Sequence, residues 1–503
     1  MELHKTSTNV KLLENAQRPF YRLHPDIIVE ISEYLDPRVC NNRYEPLLCA
    51  TRICRGWRDT LISQPSRWSF ISASRPDLIP CLLDRSKRAQ LDVHIIPRRL
   101  TEVIGYINPH VHRLSSLHLE LNYDSSRAFA ALRDLSAAPK LCRLTIECLE
   151  FPDAPEPTPE IINPAPSLHY LQLFGFPVTP ELNRLRSLTV VGLDASNATP
   201  KTVLDLLSRN PLLKVFRLWG SYSPEALNGE SGHPPRSIIL NHLETLWSEM
   251  TPLVHLEALS PPHGARIFSG FARRGSRHSV GGSHTASFPI PASFSNLQDL
   301  RKLSLVDQGN FYVKLEGEKG SITYCMSRDR PFSAGTFSGV PLEEVTDATY
   351  ELSHLYWHGP AVGPITSQSM ISRIVCGMVR LQKLELSCGA KEAEYFVLVL
   401  HSPNVCRDLK VLVLSHCVGL HRQIRGLAGL AEGRKAAGMG LDVVRIVYSN
   451  IGQLKATFEQ GGVTRLERAV GTLEYAEVEP NRWGRSSLRS DPDVGVDQPY
   501  IFF

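Results

Sequence analysis

The sequence lacks the features of secreted scaffolds, membrane-spanning proteins and polyanion-binding proteins. Its 503 residues include 11 cysteines but no Cys-x-x-Cys pair, so we expect reduced thiols and no disulfide framework. The longest apolar run, residues 395–400, falls far short of the roughly 20 residues that a spanning helix needs. Residues 1–17 lack the apolar core of a secretory signal. We therefore expect a cytoplasmic or nuclear protein without a membrane partner.

Charge of one sign is not in excess either. Lysine and arginine number 55 and aspartate and glutamate 51, which gives a net charge of +4. Such a balance does not favour nucleic acid as a partner. Hydrophobic residues make up 42% of the chain and charged residues 21%, a composition typical of folded proteins.

Known catalytic motifs are missing as well. The sequence has no phosphate-binding loop, no Gly-x-Gly-x-x-Gly, no His-Glu-x-x-His and no Gly-x-Ser-x-Gly. The best metal candidates are Cys388, Cys406, His416 and Cys417, although small buried thiols explain these cysteines equally well. We therefore predict a protein that is not an enzyme and that needs no cofactor and no metal.

Residues 20–72 predict short helices. Pro25 and Asp26 start the first one, because proline fits a first helical turn and an acidic side chain favours the positive end of the helix dipole. The apolar residues then repeat at helical spacing. They are Ile27, Ile28, Ile31 and Leu35, followed by Leu47, Ala50, Cys54, Trp57 and Leu61. About 50 residues with one thin apolar layer are marginal alone, so we expect a partner surface.

This stretch resembles the F-box. The family pattern is Leu-Pro-x-Glu, an Ile/Leu-rich helix, Cys-x-x-Trp and Pro-x-x-Trp, and its parts correspond in order to residues 23–26, 54–57 and 65–68. Two departures are visible. His24 separates Leu23 from Pro25, and residues 37–45 lengthen the loop between the helices.

F-box domains dock on the Skp-type adaptor of cullin–RING ubiquitin ligases through an exposed apolar face. The resemblance therefore implies that eight residues form this interface or support it. They are Leu23, Pro25, Ile28, Ile31, Leu35, Cys54, Trp57 and Trp68. The alternative is that these residues only form the core of a helical cap on the following domain.

From residue 110 onward the pattern Leu-x-x-Leu-x-Leu recurs, complete or with close substitutes. The middle residues are Leu117, Leu144, Leu171, Leu188, Phe216, Leu246, Leu303, Leu355, Leu384, Leu412 and Val444. Most steps are 27–32 residues, whereas steps of 57 and 52 indicate doubled or inserted units. The step of 17 before Leu188 indicates that Leu171 or Leu188 is a false match.

Short helical patterns lie between these strands, so the strand–helix period is typical of a curved solenoid with parallel strands on its concave face. The array resembles irregular leucine-rich repeats of the kind found behind F-boxes in fungal proteins. Ordinary leucine-rich α/β packing is the alternative.

The predicted fold class is thus α/β, with a three-helix F-box-like unit followed by a leucine-rich-repeat solenoid. The expected divisions are a disordered tail at 1–19, the F-box-like unit at 20–72, a linker or cap at 73–110, repeats at 111–460 with a mobile insertion at 261–293, and a C-terminal cap and tail at 461–503.

The resemblance implies a substrate-recognition subunit of a Skp–cullin–F-box ubiquitin ligase. The helices would bind the adaptor, and through it a cullin, while the repeats bind an unidentified protein. Outward-facing strand positions are the candidates for substrate contact, because alternate positions are buried in the core. They are His118, Arg143, Gln172, Arg217 and Glu385. The alternatives are a scaffold without ubiquitin transfer and an enzyme whose site is built from the repeat loops.

Overall fold

A computed structural model describes part of the chain. The described residues are 23–38, 44–96, 99–121, 138–148, 167–175, 188–195, 198–219, 237–249, 256, 258–270, 294–297, 299–307, 310–327, 342–352, 372, 374–388, 390–402, 404–415, 420–448 and 460–477. The predicted N-terminal tail, the centre of the 37–45 loop, His416, Cys417 and the C-terminal tail after 477 lie outside them.

The chain divides into two compact units, Met1–Leu243 and Glu244–Phe503. Each combines helices with a mostly parallel sheet, so the predicted α/β class is confirmed. In the ranges given above, no helix has the length and apolar character needed to cross a bilayer.

The first unit begins with three helices. These are α1 (Pro25–Tyr34), α2 (Glu45–Ile53) and α3 (Arg55–Ile62). The apolar pattern is divided between α2 and α3 at Cys54, whose backbone is extended. Cys54 is the N-cap of α3, and its Sγ accepts a hydrogen bond from the Trp57 N–H at 3.5 Å. Both α1 and α2 pack on α3, and Leu47, Trp57 and Leu61 form their buried core.

Seven parallel strands follow in this unit. They are β1 (Phe70–Ser72), β2 (Leu91–Ile95), β3 (Leu114–Leu121), β4 (Arg143–Cys148), β5 (Tyr170–Phe174), β6 (Val190–Asp194) and β7 (Val215–Trp219). Each strand pairs in parallel with the next strand in the chain. The helices between them include α4 (Ile79–Ser86), α5 (Leu100–Ile107) and α6 (Pro200–Ser208), and a short strand, β8 (Ile238–Ile239), comes near the end of the unit.

The middle positions of the repeated pattern align across the first sheet. Leu117 pairs with Leu144, and Leu144 pairs with Leu171. Of the two residues that the step of 17 brings into question, Leu188 is the false match, since Val191 pairs with Leu171 and Phe216. The step between the middle residues Leu171 and Val191 is therefore 20 residues and not 17. Leu188 is the first residue of its pattern instead of the middle one. Because valine occupies the true middle position, a pattern of leucines does not indicate this register.

The sheet also starts earlier than predicted. Residues 73–110, predicted as a linker or cap, contain α4, β2 and α5, and β2 pairs with both β1 and β3. Ile71, Val93 and Leu117 align in one row. The short strand β2 contains one leucine, with valine and isoleucine at the other buried positions, so the leucine pattern does not detect it.

The second unit has a less regular sheet. Its strands are β9 (Thr245–Glu249), β10 (Leu259–Ser260), β11 (Arg266–Gly270), β12 (Leu300–Asp307), β13 (Asn310–Gly317), β14 (Ser321–Ser327), β15 (Asp347–Leu352), β16 (Lys383–Ser387), β17 (Val411–Ser415), β18 (Val443–Tyr448) and β19 (Thr472–Glu477). The main sheet runs in the order β9, β11, β14, β13, β12, β15, β16, β17, β18, β19.

Two antiparallel pairings interrupt this sheet, β12 with β13 and β13 with β14, because only residues 308–309 and 318–320 separate these strands along the chain. All other pairs in the main sheet are parallel. Three helices lie between the last strands, namely α7 (Ala390–Leu400), α8 (Leu420–Ala436) and α9 (Gln460–Ala469). Helix α8 packs against both α7 and α9.

Three further predictions need correction in the second unit. The insertion predicted at 261–293 contains β11, whose Ile267 is buried, so only residues 271–293 stay outside the described part. Leu355, predicted as a middle position, lies outside the described residues, and in β15 the aligned middle position is Ala348, which pairs with Leu303 and Leu384. The sheet continues past residue 461, because β19 pairs with β18.

Candidate functional site

An apolar stripe lies on the surface of α1. Ile27 is 45% exposed and Tyr34 is 72% exposed. They are seven residues apart, with the partly exposed Ile31 between them, so all three lie on one face of the helix. We call these three residues the α1 stripe. Water-exposed apolar groups in this arrangement can bind a complementary apolar surface.

The residues predicted for adaptor binding divide between surface and interior. Trp57 is 3% exposed, Trp68 is fully buried, and Ile28 is buried. They therefore support the helices and do not form the surface. Pro25 is exposed, whereas Leu23, Ile31, Leu35 and Cys54 are partly exposed.

Trp68 fixes the end of the helical unit. Its Nε1–H donates to the Leu61 carbonyl oxygen at 2.8 Å, and the Arg85 guanidinium lies 4.4 Å from the centre of its ring. The indole thus satisfies its one polar group while burying its apolar surface. This contact orders the C-terminal turn of α3 against the short 3₁₀ helix Pro65–Trp68.

Tyr44 anchors the start of α2 to the first strand. Its hydroxyl donates to the Phe70 carbonyl oxygen at 3.0 Å and accepts the Ser72 N–H at 2.9 Å. Burial raises the pKa of Tyr44 well above its usual range. The sequence does not indicate this role of Tyr44, because its partners are backbone groups of a strand that the leucine pattern does not mark.

A second candidate site lies on the polar face of the first sheet. His118 pairs in register with Thr145, Thr145 with Gln172, and the row continues through Gly192 to Arg217. Arg143 precedes Thr145 by two residues on the same face. Four of the five predicted substrate contacts therefore share one face, and Glu385 lies in the second unit.

Several groups on this face are covered by neighbouring side chains. Gln172 is 3% exposed, and the Tyr170 hydroxyl donates to its Oε1 at 2.6 Å. The Arg143 guanidinium lies 4.7 Å from the centre of the Tyr170 ring. A Cβ on Gly192 would come within 2.6 Å of the Trp219 ring, so the indole lies directly over this glycine. Gln172 therefore positions Tyr170 and is not itself a contact surface.

Histidine and glutamate side chains gather at one end of this face. His94 Nε2 is 2.9 Å from Glu120 Oε1, and the His94 and His118 rings lie 4.4 Å apart at 30°. His118 Nε2 is 3.6 Å from Glu147 Oε1. His94 and His118 are register partners, and Glu120 pairs with Glu147 two residues further along. We call these four residues the His–Glu cluster.

The electrostatics of the cluster follow from burial and pairing. The hydrogen bond from His94 lowers the pKa of Glu120 below its usual value, although burial opposes this shift. Desolvation, followed by the neighbouring His94, lowers the pKa of His118 to about 4. His118 is therefore a neutral imidazole at physiological pH.

Only His118 of this cluster was predicted as a site residue from the sequence. His118 and Glu120 alternate on a predicted strand, which was the available signal, but His94 lies on the undetected β2. The cysteine group predicted as a metal candidate is described only in part. Cys388 and Cys406 are buried, and the Cys406 thiol donates to the Val375 carbonyl oxygen at 3.3 Å. Burial raises the pKa of Cys406 to about 12, which disfavours the thiolate that a metal needs.

Comparison of the chain with protein-family models gives no match, and comparison with curated proteins gives none either. The function is therefore argued from the α1 stripe and from the polar face of the first sheet.

Proposed function

We propose that this protein is the substrate-recognition subunit of a Skp–cullin–F-box ubiquitin ligase. Helices α1–α3 bind the Skp-type adaptor, and the polar faces of the sheets bind a protein substrate. The observation that carries this proposal is the α1 stripe, because Ile27 and Tyr34 expose apolar surface at the start of the chain. Aromatic and aliphatic anchors of this kind contribute most of the binding energy at protein interfaces.

The rest of the helical unit supports docking through its rigidity. Trp57 and Trp68 are buried behind the helices, and Tyr44 joins α2 to β1. The Arg67 guanidinium pairs with Glu33 at 2.9 Å and so connects the end of α1 to the 3₁₀ helix. A surface held in this way loses little conformational entropy when a partner binds.

The strand arrangement supports a leucine-rich-repeat solenoid. Strands β1–β7 pair in chain order, and their middle apolar residues align. Helices lie between β1 and β2, β2 and β3, β6 and β7, and each pair from β16 to β19. Stacked strand–helix units produce this order, and their outward strand faces form an extended binding surface.

The proposed mechanism is proximity. Holding a substrate and the adaptor on one chain raises the effective concentration of substrate lysines near the ubiquitin-loaded enzyme. The chain itself then needs no catalytic residue. This mechanism predicts that adaptor binding and substrate ubiquitylation fail together when the α1 stripe is changed.

Binding of the full-length chain to purified Skp-type adaptor tests the proposal. The double variant Ile27→Asp/Tyr34→Asp should weaken binding by at least about tenfold, because each aspartate places a charge in an apolar interface. Leu398→Asp is the matched control, since Leu398 is 67% exposed on α7. All three chains should unfold at similar temperatures, as substitutions at exposed positions usually change stability little.

Two results would contradict the proposal: no adaptor binding by the unchanged chain, or equal loss in the double variant and in Leu398→Asp. Adaptor binding without ubiquitylation of any captured protein would support the scaffold alternative instead.

A further inference from the structure

We propose that His94, His118 and Glu120 bind a zinc ion on the polar face of the first sheet. One ligand atom from each residue lies within 4.8 Å of the other two. In the part of the chain that the structure describes, this is the one group of three histidine, cysteine or carboxylate side chains close enough to hold a metal. The inference does not depend on adaptor binding.

The spacing of the ligand atoms is close to that of a zinc site. Bonds of roughly 2.0–2.1 Å in a tetrahedron place neighbouring ligand atoms roughly 3.4 Å apart. His94 Nε2 and Glu120 Oε1 are already 2.9 Å apart, and the remaining ligand atom lies within 4.8 Å of both. Small side-chain rotations therefore suffice to surround an ion.

His118 offers a nitrogen that no described group satisfies with a hydrogen bond. Its Nε2 is buried, and no described group lies within hydrogen-bonding distance of it. A buried polar atom without a partner destabilises the fold, and a bound cation would remove that penalty. A histidine ring nitrogen is among the commonest zinc ligands in proteins.

The carboxylates supply the charge that a divalent cation needs. Glu120 contributes one negative charge as a ligand, and Glu147 contributes a second near His118. The Glu147 side chain is only 9% exposed, so its charge is weakly screened by water. Together the two carboxylates balance a doubly charged ion.

The donor set indicates which metal is bound. Two imidazole nitrogens with one carboxylate favour zinc over magnesium and calcium, which prefer oxygen ligands throughout. Three protein ligands leave a fourth position for water or for a group from a bound protein. The ligands lie on the adjacent strands β2 and β3, so the sheet fixes their backbone positions before the ion arrives.

Zinc binding to the full-length chain tests this proposal. Equilibrium dialysis followed by elemental analysis measures the zinc content. Protein stripped with a chelator should take up one equivalent of Zn²⁺, and the His118→Gln and Glu120→Gln variants should each fail to take it up. His242→Gln is the matched control, because His242 is an exposed histidine of the same unit, and it should retain that equivalent. Glu147→Gln should weaken binding by about 10- to 100-fold, as expected for a residue that supports a ligand.

Cobalt substitution distinguishes this site from binding at cysteines. Co²⁺ bound by the cluster should show the visible absorption expected for nitrogen and oxygen ligands, without a thiolate charge-transfer band. The His118→Gln variant should lack this visible absorption. An excess of Mg²⁺ should not displace the ion. The proposal is overturned if His118→Gln, Glu120→Gln and His242→Gln all bind as much zinc as the unchanged chain.

Loss of adaptor binding with zinc binding intact would overturn the proposed function alone.

Discussion

The two units repeat the same core but differ on their outward strand faces. In the first unit the outward row that begins at His94 and His118 continues with Thr145 and Gln172, which are buried, and Gln172 accepts the Tyr170 hydroxyl. In the second unit the corresponding row from β16 to β19 ends in Arg445 and Glu474, an exposed ion pair with a 2.6 Å contact. Aligned apolar residues thus determine the sheet, whereas the outward residues are free to determine binding.

The largest expected effect tests the shared core. Leu144→Ala in the first unit and Leu412→Ala in the second should each destabilise their own unit by about 2–5 kcal/mol, because each removes a buried side chain from an aligned row. Urea unfolding followed by hydrogen exchange would assign the loss to a unit. If either variant loses less than about 1 kcal/mol of stability, that leucine is not part of the buried core.

A smaller effect tests the contrast between the outward faces. Gln172→Ala should cost about 1–3 kcal/mol, because it removes a 3% exposed side chain whose Oε1 accepts the Tyr170 hydroxyl. Arg445→Ala should cost less than about 1 kcal/mol, since its ion pair is exposed. Thermal unfolding of both variants measures the difference. Equal losses would mean that the two faces do not differ as described.

A similar effect is expected where the helices meet the first strand. Tyr44→Phe removes the hydroxyl that joins Phe70 and Ser72, and should cost about 1–3 kcal/mol. Tyr34→Phe is the matched control, because Tyr34 is 72% exposed, and it should change stability by less than about 0.5 kcal/mol. If both variants unfold at the same temperature, Tyr44 does not anchor the helices.

The smallest effect concerns thiol chemistry and pH. Cys406 in the second unit is buried with a pKa raised to about 12, whereas Cys49 and Cys81 in the first unit are exposed. Iodoacetamide at pH 8 should label Cys49 and Cys81 but not Cys406. The neutral thiol is favoured by folding, so its contribution to stability is complete below roughly pH 8.5 and declines as the pH rises toward 12. Rapid labelling of Cys406 in folded protein would contradict this.

The sequence predicted the apolar framework well, and the structure explains where it did not. Leu117, Leu144, Leu384 and Leu412 lie at the aligned positions that the spacing predicted. Valine and alanine at Val191 and Ala348 broke the leucine pattern, and the registers there were predicted incorrectly. Only residues 308–309 and 318–320 separate the antiparallel strands β12–β14, so no strand–helix period could indicate them.

Sites depend on which strands become neighbours, and this was harder to predict. The His–Glu cluster needs β2 beside β3, and the leucine pattern does not detect β2. The tryptophans were predicted to form or support the adaptor surface, but helical spacing does not distinguish a surface stripe from a core stripe. Ile27 and Tyr34, which the structure exposes, were not among the predicted contacts.

Site-specific photocrosslinking tests the proposed function most directly. A benzoylphenylalanine at position 34 on α1, or at the exposed position 398 on α7, would be irradiated in the full-length chain with purified Skp-type adaptor. We predict an adaptor crosslink from position 34 and none from position 398. No crosslink from position 34, or equal yields from the two positions, would contradict the assignment of α1 as the docking surface.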